Sequence, residues 1–258
     1  MARDRAQLRV GEIVFGGEKY LMCVPLVSKT MDRLVEDATA AMKFAPDLFE
    51  WRADHFEAYP EPEAILAGLT ALRAAVGNIP ILFTTRHFLE DGASDISDSQ
   101  KFGLIDHISS TGMVELVDIE QRYGQECLLA WSRKLHSRGI RLIISHHNFK
   151  RKMNRTEILK VLQAGQDWGA DINKMIVKAS SFSELADFSD VIHEARNSFL
   201  KIPVIAGAVG KASPLMRVLG DYLGSDMTFV AAGDSRSHTS QIHINEMRRF
   251  RDRIHLSQ

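Results

Sequence analysis

Eight short apolar runs, spaced almost evenly along the chain, constrain its fold more than any other feature. They are YLMCVPL (20–26), LFEWR (48–52), PILFTT (80–85), VELVDIE (114–120), IRLIIS (140–145), KMIVKA (174–179), PVIAGAV (203–209) and MTFVAA (227–232). Each has the length of a strand, and the segments between them carry apolar residues at helical spacing, closing with SQIHINEMRRFRDRIHL. Strand–helix alternation of this kind builds right-handed βαβ units and a parallel sheet. Eight units in 258 residues is the arithmetic of a (β/α)8 TIM barrel, expected as a single domain over residues 1–258. Gly112, Gly139 and Gly169 follow helical patterns, where C-terminal glycines belong. Ahead of the first barrel strand, LRVGEIVFGGEKY reads as a β-hairpin turning at Gly16-Gly17 and capping the barrel bottom.

Charge narrows the partners. Lys plus Arg number 32 against 33 Asp plus Glu, a formal net charge of −1, so no global basic field exists to hold nucleic acid. A small molecule or another subunit is the expected partner. Cys23 and Cys127 both lie in apolar patterns and read as buried thiols, and no Cys/His spacing suggests a metal. The N-terminus, MARDRAQLRV, lacks the apolar core of a signal peptide, and no run approaches the length of a membrane span; the expected location is cytoplasmic.

Barrel sites are built at the C-terminal ends of the strands. Strand two ends in Glu50, Arg52, Asp54 and His55, and strand three in Arg86 with Glu90 just beyond. Strand four carries Asp118 and Glu120, and strand five ends in His146 and His147. Lys211 and Arg217 follow strand seven, and the loop GDSRSHTSQ (233–241) follows strand eight. Taken singly, each has an ordinary structural explanation. Arg52 and Asp54 make an ion pair, Asp118 and Glu120 pair with arginines, and Arg217 decorates its helix. Their convergence on one mouth favours a site. Of the two histidines, alternation lets only one point inward.

Strand six, INKMIVKAS (172–180), poses the sharpest question, because Lys174, Ile176 and Lys178 share one face of a strand meant for burial. A buried lysine is the usual Schiff-base nucleophile, and it must be neutral to attack a ketone. Burial and a second cation both favour that state. One lysine therefore attacks and the other helps keep it unprotonated, with a histidine as general acid and base and arginines gripping a substrate carboxylate. Nearness to the mouth favours Lys178 as the attacker.

The segments FEWRADHF (49–56), ILFTTR with Glu90 (81–90), LVDIE (116–120), IISHHNF (143–149), GADINKMIVKAS (169–180) and SHTSQI (237–242) together resemble type I 3-dehydroquinate dehydratases from about Val24 to the last helix. The resemblance implies dehydration of 3-dehydroquinate to 3-dehydroshikimate in the shikimate pathway, without a cofactor and in a homodimer. It implies that Lys174 forms the Schiff base, that His147 is the general acid/base and that Glu90 orients it. It places Glu50, Arg52, Arg86, Arg217, Ser237 and Gln241 at substrate-binding positions, with Arg217 on the carboxylate and the last two on a closing loop. Lys178 then becomes an electrostatic neighbour in a place where the family carries an uncharged residue. The closing loop is one residue longer than expected and lacks a Pro and a Gly between Ser237 and Gln241, and Pro25 replaces a serine. Two other readings use the same residues. A class I aldolase would take AGAVGKAS (206–213) as a phosphate loop, and a non-catalytic barrel would bind a metabolite without turning it over.

Overall fold

The computed structural model describes residues 6–233, 237–238 and 240–255. Its main sheet is formed by eight parallel strands. They are β3 (Leu21–Leu26), β4 (Leu48–Arg52), β5 (Ile81–Thr84), β6 (Leu116–Glu120), β7 (Arg141–Asn148), β8 (Ile172–Lys178), β9 (Val204–Val209) and β10 (Met227–Phe229). Helices fill the connections: α1 (Met31–Met42), α2 (Pro62–Val76), α3 (Asp98–Ser109), α4 (Gly124–Ser137), α5 (Arg155–Asp167), α6 (Phe182–Ser198), α7 (Ser213–Val218) and α8 (Ile244–His255). The sheet runs β10-β3-β4-β5-β6-β7-β8-β9, so consecutive strands are neighbours and the first pairs with the last. This is the expected (β/α)8 barrel. Gly112, Gly139 and Gly169 all adopt positive φ, as the expected helix ends require.

Between β9 and β10 no strand ladder is formed; the Asp226 amide donates to the Val204 carbonyl at 2.8 Å, and side chains supply the rest of the join. Asp226 Oδ2 accepts the Val204 amide at 2.7 Å, and Ser225 Oγ accepts the Ala206 amide at 3.0 Å. Strand eight is also shorter than its apolar run. The Val230 amide still donates to the Cys23 carbonyl at 2.9 Å; after it the chain leaves the barrel, and Ala231 exchanges backbone hydrogen bonds with Ile242 and Ile244, ahead of and at the start of α8.

The N-terminal hairpin, β1 (Leu8–Val10) and β2 (Ile13–Phe15), is present, but it turns at Gly11-Glu12 and not at Gly16-Gly17. A two-residue loop between Val10 and Ile13 needs a positive φ, which Gly11 supplies at +56°. Gly16 has a different task, since a Cβ there would lie 2.0 Å from the Ala6 carbonyl oxygen. Val10 and Phe15 of the hairpin pack with Leu21, Leu48, Leu82, Leu116, Ile143 and Ile172, which form the barrel floor. The hairpin thus closes the N-terminal end, as its apolar residues require.

Alternation then decides what stands above that floor. Residues one position along, such as Phe49, Trp51, Phe83, Val117 and Ile144, turn outward and pack in the layer that holds the inner faces of α1 to α4. Burying each such side chain contributes roughly 1.5–3 kcal/mol. Residues two positions above the floor are Glu50, Thr84, Asp118, Ser145 and Lys174. Two further along come Arg52, Arg86, Glu120, His147 and Ile176. On five neighbouring strands the lumen therefore passes from aliphatic to polar and mostly ionisable side chains within four residues.

Candidate active site

At the C-terminal mouth these layers open into a cleft of about 810 Å³, counting the solvent at its entrance. Glu50, Arg52, Arg86, Glu90, His147, Lys174, Arg217, Ser237 and Gln241 all line it, so the catalytic and substrate-binding positions implied by the resemblance come together in one place.

Lys174 lies deepest. Its side chain is 4% exposed, with Nζ 3.0 Å from Asp118 Oδ2, 3.3 Å from Glu50 Oε1 and 4.7 Å from the Phe229 ring centre. Two carboxylates thus orient the amine, where a second lysine was expected. Lys178 is exposed and borders a separate hollow with Lys152, Glu184 and Asp187. Lys178, the last residue of β8, thus sits outside the cleft, and it is not the inward-facing electrostatic neighbour expected of it.

Arg86 is fully enclosed. Its Nη1 donates to Glu120 Oε1 at 2.9 Å and Ser145 Oγ at 2.8 Å, and its Nη2 donates to Asp118 Oδ2 at 2.8 Å. Burial pushes the Asp118 carboxyl up, but the Arg86 and Lys174 cations outweigh it and hold Asp118 far below the carboxylate range. Arg52 forks onto Asp54 at 2.9 and 2.8 Å, the ion pair foreseen from the sequence, while still presenting an edge to the cleft.

The Nδ1 atom of His147 lies 2.9 Å from Glu90 Oε2, which also accepts the His147 amide at 3.2 Å. Burial pushes the Glu90 carboxyl up to about 7, with Glu120 and Asp118 adding to the rise and Arg86 opposing it. Burial, then the Arg86 and Lys174 cations, hold the imidazole well below its usual range. An ionised Glu90 fixes the proton on Nδ1 and leaves Nε2 free as a base. His146 falls on the other face of β7 and does not line the cleft. His55 and Lys211 also lie outside its lining.

Arg217 crowns the opposite wall. It donates to Ser240 Oγ at 3.2 and 2.9 Å and to the Phe229 carbonyl at 3.2 Å. It has no carboxylate partner among the described residues, and burial lowers its pKa to about 10. Ser237 and Gln241 bond each other across the start of the last segment, at 2.9 Å through the Ser237 amide and 3.0 Å through its hydroxyl. Part of the longer closing loop, residues 234–236 and 239, lies outside the described residues.

Several contributors were not assigned a role from sequence. Asp118 and Glu120 were seen as partners of arginines, but the contact of Asp118 with Lys174 depends on barrel stagger. Ser145 and Phe229 carry no signal beyond their positions. Lys101 of α3 does: it falls on the stripe Lys101, Leu104, Ile105, Ile108 that α3 buries. Among the described residues no group of three or more His, Cys, Asp or Glu side chains is arranged to hold a metal ion.

Comparison with known proteins bears on the chemistry. A family model for type I 3-dehydroquinase matches residues 22–258. The 3-dehydroquinate dehydratase of Klebsiella pneumoniae is 31% identical over 243 residues, 94% of this chain and 96% of that protein. That of Syntrophotalea carbinolica is 31% identical over 97% of this chain and 99% of its own length. Among solved structures, the 3-dehydroquinate dehydratase of Geobacillus kaustophilus superposes with a TM-score of 0.92 at 31% identity, covering 97% of this chain and 96% of that one. The type I enzyme of Clostridium difficile, solved with covalently modified comenic acid, gives 0.93 at 28% identity over 98% and 100% of the two chains.

Proposed function

Because the chain belongs to the type I 3-dehydroquinase family, whose reaction is the dehydration of 3-dehydroquinate, we propose that it performs this reaction through an imine on Lys174, with His147 as acid and base. The observation that carries the reading is a single deeply buried lysine amine facing a cleft also lined by the His147–Glu90 pair and by Arg217.

The Lys174 amine adds to the ketone, and loss of water gives a protonated imine. The proton that the ammonium gives up to free the amine passes by way of His147 to the departing hydroxyl, so the imine keeps one positive charge. Asp118 and Glu50, both within 3.3 Å of Nζ, accept hydrogen bonds from the nitrogen and steady that cation. His147 Nε2 removes a proton from the carbon beside the iminium carbon, and the electron pair moves to nitrogen as an enamine. The hydroxyl one carbon further on leaves as water, taking the proton back from His147. Hydrolysis of the conjugated imine frees the enone and restores the amine. Glu90 holds His147 in the tautomer that serves both transfers. Arg217 supplies a guanidinium for the substrate carboxylate. Glu50, Arg52 and Arg86 set the polar wall, and Ser237 and Gln241 close the mouth.

Family membership displaces the aldolase reading. Borohydride reduction in the presence of product, followed by peptide mass mapping, tests the proposal. A single adduct on Lys174, lost in Lys174→Ala, is expected together with absorbance growth from the conjugated enone. An adduct on another lysine refutes it.

A further inference from the structure

The charges beneath the cleft alternate in an unbroken file: Lys101, Glu120, Arg86, Asp118, Lys174, Glu50. Five of these six stand on barrel strands or at their ends. Lys101 does not; it reaches in from α3, 2% exposed, on a stripe where the helix otherwise buries leucine and isoleucine. Its ammonium meets Glu120 Oε2 and lies 5.1 Å from the Tyr123 ring centre. Glu120 then spends its other oxygen on Arg86 Nη1 at 2.9 Å and the His87 amide at 2.8 Å. A buried lysine is costly to desolvate, and nothing in the packing of α3 requires one there.

We propose that Lys101 is a positioning residue for the reaction: it neutralises Glu120 from behind, so that Arg86 stays in place and the cleft keeps its proton balance. With Lys101 the file holds three cations and three carboxylates. Without it the carboxylates exceed the cations by one, and the excess sits beside Arg86, the cation that most directly opposes proton uptake by Glu90 and His147. Facing Lys101 are Glu120 and Asp118 of β6, Arg86 and His87 after β5, Arg122 and Tyr123 after β6, and Asp98 of α3 itself. Facing the Glu90–His147 pair are Arg86, Glu120, Asp118, Lys174 and Arg52. Glu120 is common to both sets, and it is the route by which Lys101 acts. Its importance for catalysis rests on His147 as the acid/base, whereas its effect on the protons does not.

The test is therefore made on the unliganded protein, by following the His147 ring through 15N-histidine NMR against pH, with His147→Asn as the assignment control. Lys101→Met should move the midpoint of the Glu90–His147 pair upward by about half a pH unit to one unit, because an added negative charge favours the protonated forms. Glu120→Gln should move it downward, Lys101→Arg should leave it in place, and the double variant Lys101→Met/Glu120→Gln should return it close to the wild-type midpoint. Should Lys101→Met fail to fold, Glu120→Gln and the double variant carry the same comparison. An unmoved midpoint in folded Lys101→Met or Glu120→Gln, or a Lys101→Arg variant that titrates like Lys101→Met, overturns the proposal and leaves Lys101 a structural partner of Glu120. Failure of the imine reading would show separately, in the borohydride mapping.

Discussion

Replacing Arg217 should damage binding while leaving the fold nearly untouched, and the structure gives both magnitudes. Burial brings the guanidinium from 12.5 down to about 10, a penalty of about 3 kcal/mol for keeping it charged. The fold depresses this base, so the penalty is complete at all pH values below about 10 and fades as pH rises above it. Against it stand three contacts, two to Ser240 Oγ and one to the Phe229 carbonyl, worth about 1 kcal/mol each. The terms nearly cancel, so Arg217→Met should keep stability within about 1 kcal/mol and Tm within about 4 °C. Activity should respond differently. A hydrogen bond to a charged group contributes about 1.5–3 kcal/mol, so Arg217→Lys, which keeps the charge and loses the fork, should lower kcat/KM by about 10–150-fold, chiefly through KM. Arg217→Met loses both contacts and should fall roughly another order of magnitude or more. Initial rates from enone absorbance, paired with thermal melts, read out both. An unchanged KM places the carboxylate elsewhere, and a Tm fall well beyond 4 °C makes Arg217 a structural cation.

His147→Ala should lower kcat by about 10²–10⁴-fold while His146→Ala leaves it within a few-fold, and the reverse order in steady-state assays would refute the assigned faces of β7. Glu90→Gln should stabilise the protein more at pH 8 than at pH 5: the fold holds the Glu90 proton up to about 7 instead of 4.5, so rising pH through that window costs the wild type stability that glutamine does not lose. Equal gains in melts at the two pH values would contradict it. Lys178→Met should leave the activity–pH profile in place, since the side chain sits outside the cleft; a displaced profile would restore its electrostatic role.

The strands were legible because each carries a dense apolar run and the runs recur with the spacing of one βα unit. The site was legible because period-two alternation puts Glu50 and Arg52, Asp118 and Glu120, or His147 alone on the lumen side of their strands. What failed was whatever depends on where a strand stops. Lys178, the last residue of β8, sits outside the cleft, and the run ending at Ala232 leaves the barrel after Val230. The hairpin failed for another reason: its turn takes Gly11-Glu12, while Gly16 is demanded by a left-handed φ of +72° and the approach of the Ala6 carbonyl, outside the hairpin turn. The carboxylate pair around Lys174 was hidden because contacts across the lumen depend on the stagger of β4, β6 and β8, which no one strand encodes.

The join between β9 and β10 differs from the others in how it is inherited. Elsewhere the barrel is closed by peptide groups, which are the same whatever the residue, and no substitution except proline removes their donors. Here one peptide contact, the Asp226 amide on the Val204 carbonyl, is supplemented by Asp226 and Ser225, whose side chains accept the amides of Val204 and Ala206. A join of that kind can be altered one codon at a time, from aspartate to asparagine to alanine, while the ladder pairings stay whole. The last βα unit, which leads into Gln241, is thus fastened in part by heritable side-chain chemistry that mutation can grade in small steps.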